Sequence, residues 1–300
     1  MPAPAHEPFL HPLQVDSIQA NSGGWLITSP EYHMKRLLAA GAPTRIFQIC
    51  RCFRGDEAGV HHRPEFTMIE WYRTHVGYGQ ISTDVERLVA HTARSLSGSD
   101  VVTGPGGERT DLRTPWPRIN VTDAFRRFAG IDIDLPAVAR QSTQERTASI
   151  HSAARAAGCH SIDEGDDWDS AFNKLLIERV EPGLASTGRG VHLRRYPVSM
   201  AALARIDPQD ATVAQRCESY AGGLELSNGF QELTDARQQR HRFLGERQTR
   251  RLQGKEILPL DEPFLRDLER MPPASGVALG LDRLIMLVTG AGRIDDVVAF

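Results

Sequence analysis

Arginine presents a planar fork of donors that matches phosphate oxygens, and an aromatic ring presents a face to a purine. Residues 47–73, FQICRCFRGDEAGVHHRPEFTMIEWYR, gather both kinds of group. Arg51 and Arg54 stand beside Asp56 and Glu57, while His61, His62 and Arg63 precede Pro64. The alternation predicts two strands joined by a charged loop. Ile46, Gln48, Cys50, Cys52 and Arg54 would share one face of the first strand. Phe66, Met68, Glu70 and Tyr72 would share one face of the second, so that Phe66 and Tyr72 look into one pocket. Such a hairpin suits a nucleoside triphosphate. An amphipathic surface hairpin with ordinary salt bridges has the same periodicity.

Three further segments carry chemistry. GLELSNGFQELTD, residues 223–235, places Glu225 and Ser227 on one strand face. Asn228-Gly229 is expected to break the alternation and bring Glu232 back near Glu225. Paired carboxylates beside a triphosphate suit Mg²⁺, which prefers oxygen donors and shares them with phosphates; two solvent-facing acids would read the same way. SGVALGLDRLIMLVTG, residues 275–290, reads as a glycine-containing strand followed by a helix with Arg283 in its first turn. There the helix dipole adds positive potential toward a phosphate. TSPEYHMKRLL, residues 28–38, opens a helix with Ser29, Pro30 and Glu31. A carboxylate at that position can bind an amino group or simply complement the dipole. The chain has no GxxxxGK[ST] and no dinucleotide GxGxxG after a strand, so a phosphate site must be built from arginine side chains. No Ser-His-Asp or Cys-His grouping is apparent.

Around these segments, helices are expected from Pro30 to about Ala40, over Ser82–Leu96, from Thr122 to about Phe128, and over 234–253. Residues 97–118, rich in Gly and Pro, are expected to form a loop. Residues 135–190 read as a helical insertion with the acidic run SIDEGDDWD as a solvated linker. Strands are expected at about Gly190–Tyr196 and Glu218–Asn228. Strands adjacent in sequence with helices outside predict an α+β fold with an antiparallel sheet flanked by helices.

Composition narrows the function classes. With 40% apolar residues the 300-residue chain can bury a sizeable core, and a net charge of −3 gives no general drive toward nucleic acid. The four cysteines, Cys50, Cys52, Cys159 and Cys217, lack zinc-site spacing, which favours reduced thiols in a cytoplasmic protein. No signal peptide and no membrane span is expected.

The hairpin, the GLELSNGFQELTD segment and the strand–helix unit occur in the order found in class II aminoacyl-tRNA synthetases. Together they resemble the catalytic core of the lysine type. They are most similar to a free-standing branch of that family, the ligases that join lysine or (R)-β-lysine to elongation factor P. The resemblance implies one catalytic domain over residues 1–300, ATP and Mg²⁺ as cofactors, and no anticodon-binding domain. It implies that Arg54 and Arg283 are catalytic and stabilise charge on the phosphates. Gly55 and Asp56 would lie at the adenine, Phe66 would stack on it, and His62 and Arg63 would lie near the γ-phosphate. Glu225, Leu226 and Gly280 would complete the ATP site, with Mg²⁺ on Glu225 and Glu232. Ser29, Pro30 and Glu31 would meet the amino acid at the helix start. Glu70, Tyr72, Asn228, Glu232 and Ala278 would meet it from the sheet.

The chain departs from the family pattern at several places. Arg54-Gly55-Asp56 stands for Arg-Asn-Glu, Arg63 for Asn, Ser29 for Ala, and Ala278 for Gly. Motif 1, which builds the homodimer interface in this class, is not apparent, so a monomer or weak dimer is expected. Charging of tRNA is the rival activity, opposed by the missing anticodon domain and the acidic balance. A non-catalytic lysine-binding paralogue is the rival from another class, opposed by the presence of Arg54, Glu225, Glu232 and Arg283.

Overall fold

The structure is a computed structural model that describes residues 11–16, 23–55, 58–252 and 254–298. In chain order it contains β1 (Gln14–Val15), β2 (Gly24–Trp25), α1 (Glu31–Ala39), β3 (Arg45–Phe53), β4 (Glu65–Thr74) and α2 (Tyr78–Ser97). Next come β5 (Val101–Thr103), β6 (Arg109–Asp111), β7 (Arg118–Asn120), α3 (Val121–Ala124), α4 (Leu135–Arg140), α5 (Thr143–Ala156), α6 (Trp168–Leu175) and α7 (Glu181–Ala185). The last third holds β8 (Val191–Pro197), β9 (Ile206–Asp207), β10 (Asp210–Ala221), β11 (Leu224–Gln231), α8 (Ala236–Leu252), α9 (Glu262–Leu268), β12 (Ala274–Gly280) and α10 (Leu281–Thr289).

The main sheet runs β3-β4-β12-β11-β10-β8-β7, with β9 beside β10. Every pairing in it is antiparallel except β7 with β8. Two rungs cross it and set the site. Ile46, Tyr72, Gly276, Phe230 and Arg216 are successive partners, as are Gln48, Glu70, Ala278, Asn228 and Glu218. The opposite face is packed. Ile69, Trp71, Leu224, Leu226, Val277 and Leu279 meet Ile81, Val85 and Val89 of α2 and Leu284 and Leu287 of α10. Tyr32 of α1 stacks on Phe264 of α9 with ring centroids 4.2 Å apart. The helices of 135–190 share one core with the sheet, where Phe125, Trp168, Phe172 and Val180 pack with Leu193, Tyr196 and Val213.

Several expected boundaries shift for physical reasons. α2 begins one turn before Ser82, because the Ser82 and Thr83 hydroxyls donate to the carbonyls of Tyr78 and Gly79, both at 3.1 Å. The expected loop 97–118 contains the short hairpin β5–β6. The expected strand 218–228 is the end of one strand and the start of another. Gly222 and Gly223 turn the chain with φ of +55° and +71°, and Ala221 pairs with Leu224. Glycine tolerates positive φ at both positions of so tight a turn. Acids of the run 161–169 are paired: Lys174 reaches Asp163 at 2.6 Å and Asp166 at 2.7 Å, and Asp167 caps α6. Arginines of α8 are staples: Arg242 donates to the carbonyls of Ala202 and Ala204, and Arg250 to that of Glu256. All four cysteines are free thiols. No helix among the described residues is long and apolar enough to cross a membrane.

Candidate active site

One face of the sheet opens into a cleft of about 290 Å³ lined by Ser29, Glu31, Arg54, His61, His62, Arg63, Phe66, Thr67 and Met68 from the α1 start and the β3–β4 hairpin. Glu225, Leu226, Ser227, Asn228 and Phe230 of β11, Ala278 and Gly280 of β12, Asp282 and Arg283 of α10, and Ile294 complete it. A larger hollow of about 410 Å³ lies between Asn120, Arg126, Asp134 and Arg195. Its cations are already paired, Arg126 with Asp132 and Arg195 with Asp207 and Asp210, so the chemistry is assigned to the smaller cleft.

One end of the cleft is cationic. Arg54 follows the last residue of β3; its Nε donates to the Thr28 carbonyl at 3.3 Å, and its guanidinium lies 5.1 Å from the centre of the Phe66 ring. Arg283 sits in the first turn of α10, which is tied to the hairpin by the Thr67 amide donating to Asp282 at 2.7 Å. Arg283 Nη1 donates to the Glu225 carbonyl at 2.8 Å and lies 3.5 Å from its carboxylate, while Nη2 donates to His62 Nε2. Burial and the Arg283 charge push the His62 imidazole down to about 4. It is therefore neutral at pH 7 and holds Arg283 by its lone pair. Arg63 faces Asp295 at 3.8 Å. Gly55 lies against the chain at His11, whose carbonyl accepts its amide at 2.7 Å, and a Cβ there would come 3.2 Å from that oxygen. Asp56 lies outside the described residues.

The other end is anionic and almost dry. Glu70 is 2% exposed and accepts from Ser29 Oγ at 2.7 Å and from Tyr72 OH at 2.5 Å. Ser29 Oγ also accepts the Glu31 amide at 3.1 Å, so one hydroxyl satisfies the first amide of α1 and orients Glu70. Pro30 is the residue at the N-cap of α1. Lys35, one helical turn after Glu31, is 2.5 Å from Glu31 Oε1 and 2.5 Å from Glu232 Oε2. Burial pushes the Glu70 and Glu232 carboxyls up to about 8, and neighbouring Glu31 pushes the same way. Gly276 has no side chain because there is no room for one: a Cβ would lie 2.3 Å from Tyr72 Cε1 and 2.6 Å from Glu232 Oε1.

The joint expectation for Glu225 and Glu232 needs correction. The alternation of β11 breaks at Leu226, not at Asn228-Gly229: Glu225 pairs with Tyr220 and Ser227 with Ser219, leaving Leu226 extra. Glu225, Asn228 and Phe230 consequently share the cleft face, whereas Ser227 donates to Ser219 Oγ at 2.9 Å on the packed side. Glu232 follows the end of β11, seven residues from Glu225 and so roughly 20 Å away at the rise of an extended strand. Different cations engage the two carboxylates, Arg283 at Glu225 and Lys35 at Glu232.

The sequence reading missed other members. Lys35 was readable as an i,i+4 partner of Glu31. Arg216 and Glu218 had no local signal, since only strand pairing brings them in. Arg216 Nε donates to Asn228 Oδ1 at 3.2 Å and Nη2 to Glu218 at 2.6 Å; Glu218 also accepts from Tyr196 and Tyr220. Glu181 of α7 adds a further acid, pushed up to about 7 by burial, then by Glu225 and Glu218.

Residues 6–300 match the family model described as tRNA synthetases class II (D, K and N). An elongation factor P–(R)-β-lysine ligase of Haemophilus influenzae (strain ATCC 51907 / DSM 11121 / KW20 / Rd) is 39% identical over 277 residues, covering 92% of this chain and 76% of that one. The protein of that name from Salmonella arizonae is 39% identical, covering 92% and 77%. That from Pectobacterium atrosepticum is 38% identical over 298 residues, covering 97% and 83%. With the family model matched along nearly its whole length and the α+β fold in place around the cleft, this chain belongs to the class II tRNA synthetase family of the D, K and N type.

Proposed function

We propose that this chain is an ATP-dependent ligase that activates lysine or (R)-β-lysine as an adenylate and passes it to a lysine side chain of elongation factor P, in the cytoplasm. The observation that carries the reading is the polarity of the cleft. Arg54, Arg63 and Arg283 stand at one end, and half-buried Glu31 with the buried acids Glu70 and Glu232 at the other. A triphosphate suits the first, and an amino acid with two ammonium groups suits the second. The names of the relatives support the same assignment.

In the first half-reaction the amino-acid carboxylate attacks the α-phosphorus, and pyrophosphate leaves with the bridging oxygen. Arg54 and Arg283 are fixed before the reaction and face the charge that develops. Neutral His62 keeps Arg283 aimed. Phe66 offers its ring to the adenine, and Gly55, Leu226 and Gly280 provide close backbone approach. Glu70, Tyr72 and Glu232 hold one ammonium and Glu31 the other, while Asn228, its oxygen taken by Arg216, presents its amide nitrogen to the cleft. In the second half-reaction the acceptor's ε-amine attacks the acyl carbon, loses a proton and releases AMP. No covalent enzyme intermediate is required.

The acids Glu225, Glu218 and Glu181 crowd one another, and burial followed by the Glu218 charge raises the Glu225 carboxyl. That surplus of negative charge fits a hard divalent cation at Glu225. Magnesium keeps waters and phosphate oxygens as ligands, so it needs only one or two carboxylates rather than a complete protein cage. When bound there, Mg²⁺ would neutralise phosphate charge. The test is a mass measurement on elongation factor P incubated with the protein, ATP and either lysine isomer. An added lysyl mass is expected; unmodified factor, with tRNA charged instead, would refute the assignment.

A further inference from the structure

Lys35 is a cation in a place where cations are costly. Its side chain is 1% exposed, and it lies between Glu31 and Glu232 at 2.5 Å from each. The Phe230 ring covers it at 5.2 Å. Four titratable groups face it or its partners: Glu31 from α1, Glu70 and Tyr72 from β4, and Glu232 after β11. An ammonium this deep is retained only when its partners are fixed. Lys35 sits one turn inside α1 and beneath Phe230, held by ion pairs from two elements.

The remaining acceptors point to what joins it. Glu31 lines the open cleft, and Glu232 Oε1 has no hydrogen-bond partner among the described residues. Counting charges, the fully ionised pocket holds Glu31, Glu70 and Glu232 against Lys35, three negatives and one positive. Two further ammonium groups close the balance.

Building on the proposed amino-acid site, we infer that Lys35 is a positioning and specificity-determining residue: it holds Glu31 and Glu232 in place before substrate arrives, and it sets the pocket's requirement at two ammonium groups. Burial opposes the charge on Lys35, but Glu232 and Glu31 together more than reverse this and raise it. Burial raises the Glu232 carboxyl and Lys35 opposes this; without Lys35 that carboxyl would hold its proton to higher pH, and a protonated carboxyl is a poor acceptor for an ammonium.

The test is Lys35→Met, read by lysine-dependent ATP–pyrophosphate exchange at pH 7 and pH 9. At pH 7 the KM for lysine should rise roughly 10- to 100-fold, as for loss of a charge-assisted contact, with the KM for ATP little changed. The ratio of variant to wild-type KM should fall back toward one at pH 9, where Glu232 reionises. Lys35→Met/Glu232→Gln removes an acid with the cation and guards against misfolding of the single variant. It should fold, with a raised KM ratio that no longer falls between pH 7 and pH 9. A lysine KM unchanged in Lys35→Met, or raised equally at both pH values, overturns the inference and leaves Lys35 a structural ion. A ratio that still falls toward one at pH 9 in the double variant overturns it as well. If the wild-type protein exchanges with neither lysine isomer, the amino-acid site itself is wrong and the role of Lys35 falls with it.

Discussion

Gly276→Ala would test the geometry of the amino-acid end with a single methyl group. The new Cβ would lie 2.3 Å from Cε1 of Tyr72, 2.7 Å from its Cδ1 and 2.6 Å from Glu232 Oε1. All three are far inside van der Waals contact. Gly276 is held on both sides, by Tyr72 of β4 and Phe230 of β11, so the backbone cannot simply back away. Tyr72 is itself 2% exposed and packed with α1. Something must shift, and overpacking of this kind costs about 1–3 kcal/mol. If that strain falls on the binding geometry it raises the lysine KM about 5- to 150-fold, at 1.4 kcal/mol per tenfold. If it falls on the fold it lowers the melting temperature. The assay is lysine-dependent ATP–pyrophosphate exchange together with thermal unfolding. Gly79→Ala is the control, since a Cβ there meets nothing within 4 Å; it should leave both readouts as in wild type. A Gly276→Ala protein with unchanged KM and unchanged melting would refute the argument that Tyr72 and Glu232 are locked over this rung.

Arg54→Ala should abolish adenylate formation while leaving the fold intact, since loss of one donor to developing charge costs about 2.7–4 kcal/mol; near wild-type pyrophosphate exchange would refute its role. Ala278→Gly should shift preference toward α-lysine, because Ala278 lies between Glu70 and Asn228 on one rung and a methyl group is worth about 1–3 kcal/mol of discrimination. Competition between α- and β-lysine measures it, and an unchanged ratio would locate selectivity elsewhere. Lysine affinity should rise from pH 6 to pH 8 and then level off, because Glu70 and Glu232 must lose the protons they hold up to about pH 8 before they meet an ammonium. Calorimetry in buffers of different ionisation enthalpy should show proton release at pH 7. The same two carboxyls have folded-state values above the ordinary 4.5, so their contribution to stability is full below that value and is lost as pH rises through 8. Melting of the unliganded protein across that window checks the sign.

What was legible in the sequence was local. The faces of β3 and β4 follow from alternation, and Phe66 and Tyr72 do share the cleft face. The start of α1 follows from Ser29 and Glu31, and the β12–α10 unit from glycines bracketing an apolar run. What was not legible depends on neighbours. A bulge at Leu226 is decided by pairing with β10 and β12, so the break was misplaced at the more conspicuous Asn228-Gly229. Gly229 has a different reason: a Cβ there would come 2.8 Å from Val277 Cβ. The burial of Lys35 depends on Glu232 arriving from nearly two hundred residues away, and charge alone reads such a lysine as solvated. The Gly222–Gly223 turn was a local signal in plain view, passed over because an apolar stretch on either side read as one strand.

The extra residue in β11 gives that strand two phases. From Ser227 to Gln231 the phase is fixed by β12, from Ser227 beside Leu279 to Gln231 beside Ser275. Before the bulge, only the short run from the two-glycine turn is set, with Glu225 beside Tyr220. Drawing Leu226 into regular alternation, with no residue lost, would therefore be absorbed on the turn side. Glu225 would swing to the packed face, while Asn228, Phe230 and Glu232 would keep theirs. The phosphate end of the cleft thus depends on a one-residue step in pairing that leaves the amino-acid end in register, whereas loss of Leu226 itself would remove the step and keep Glu225 in the cleft.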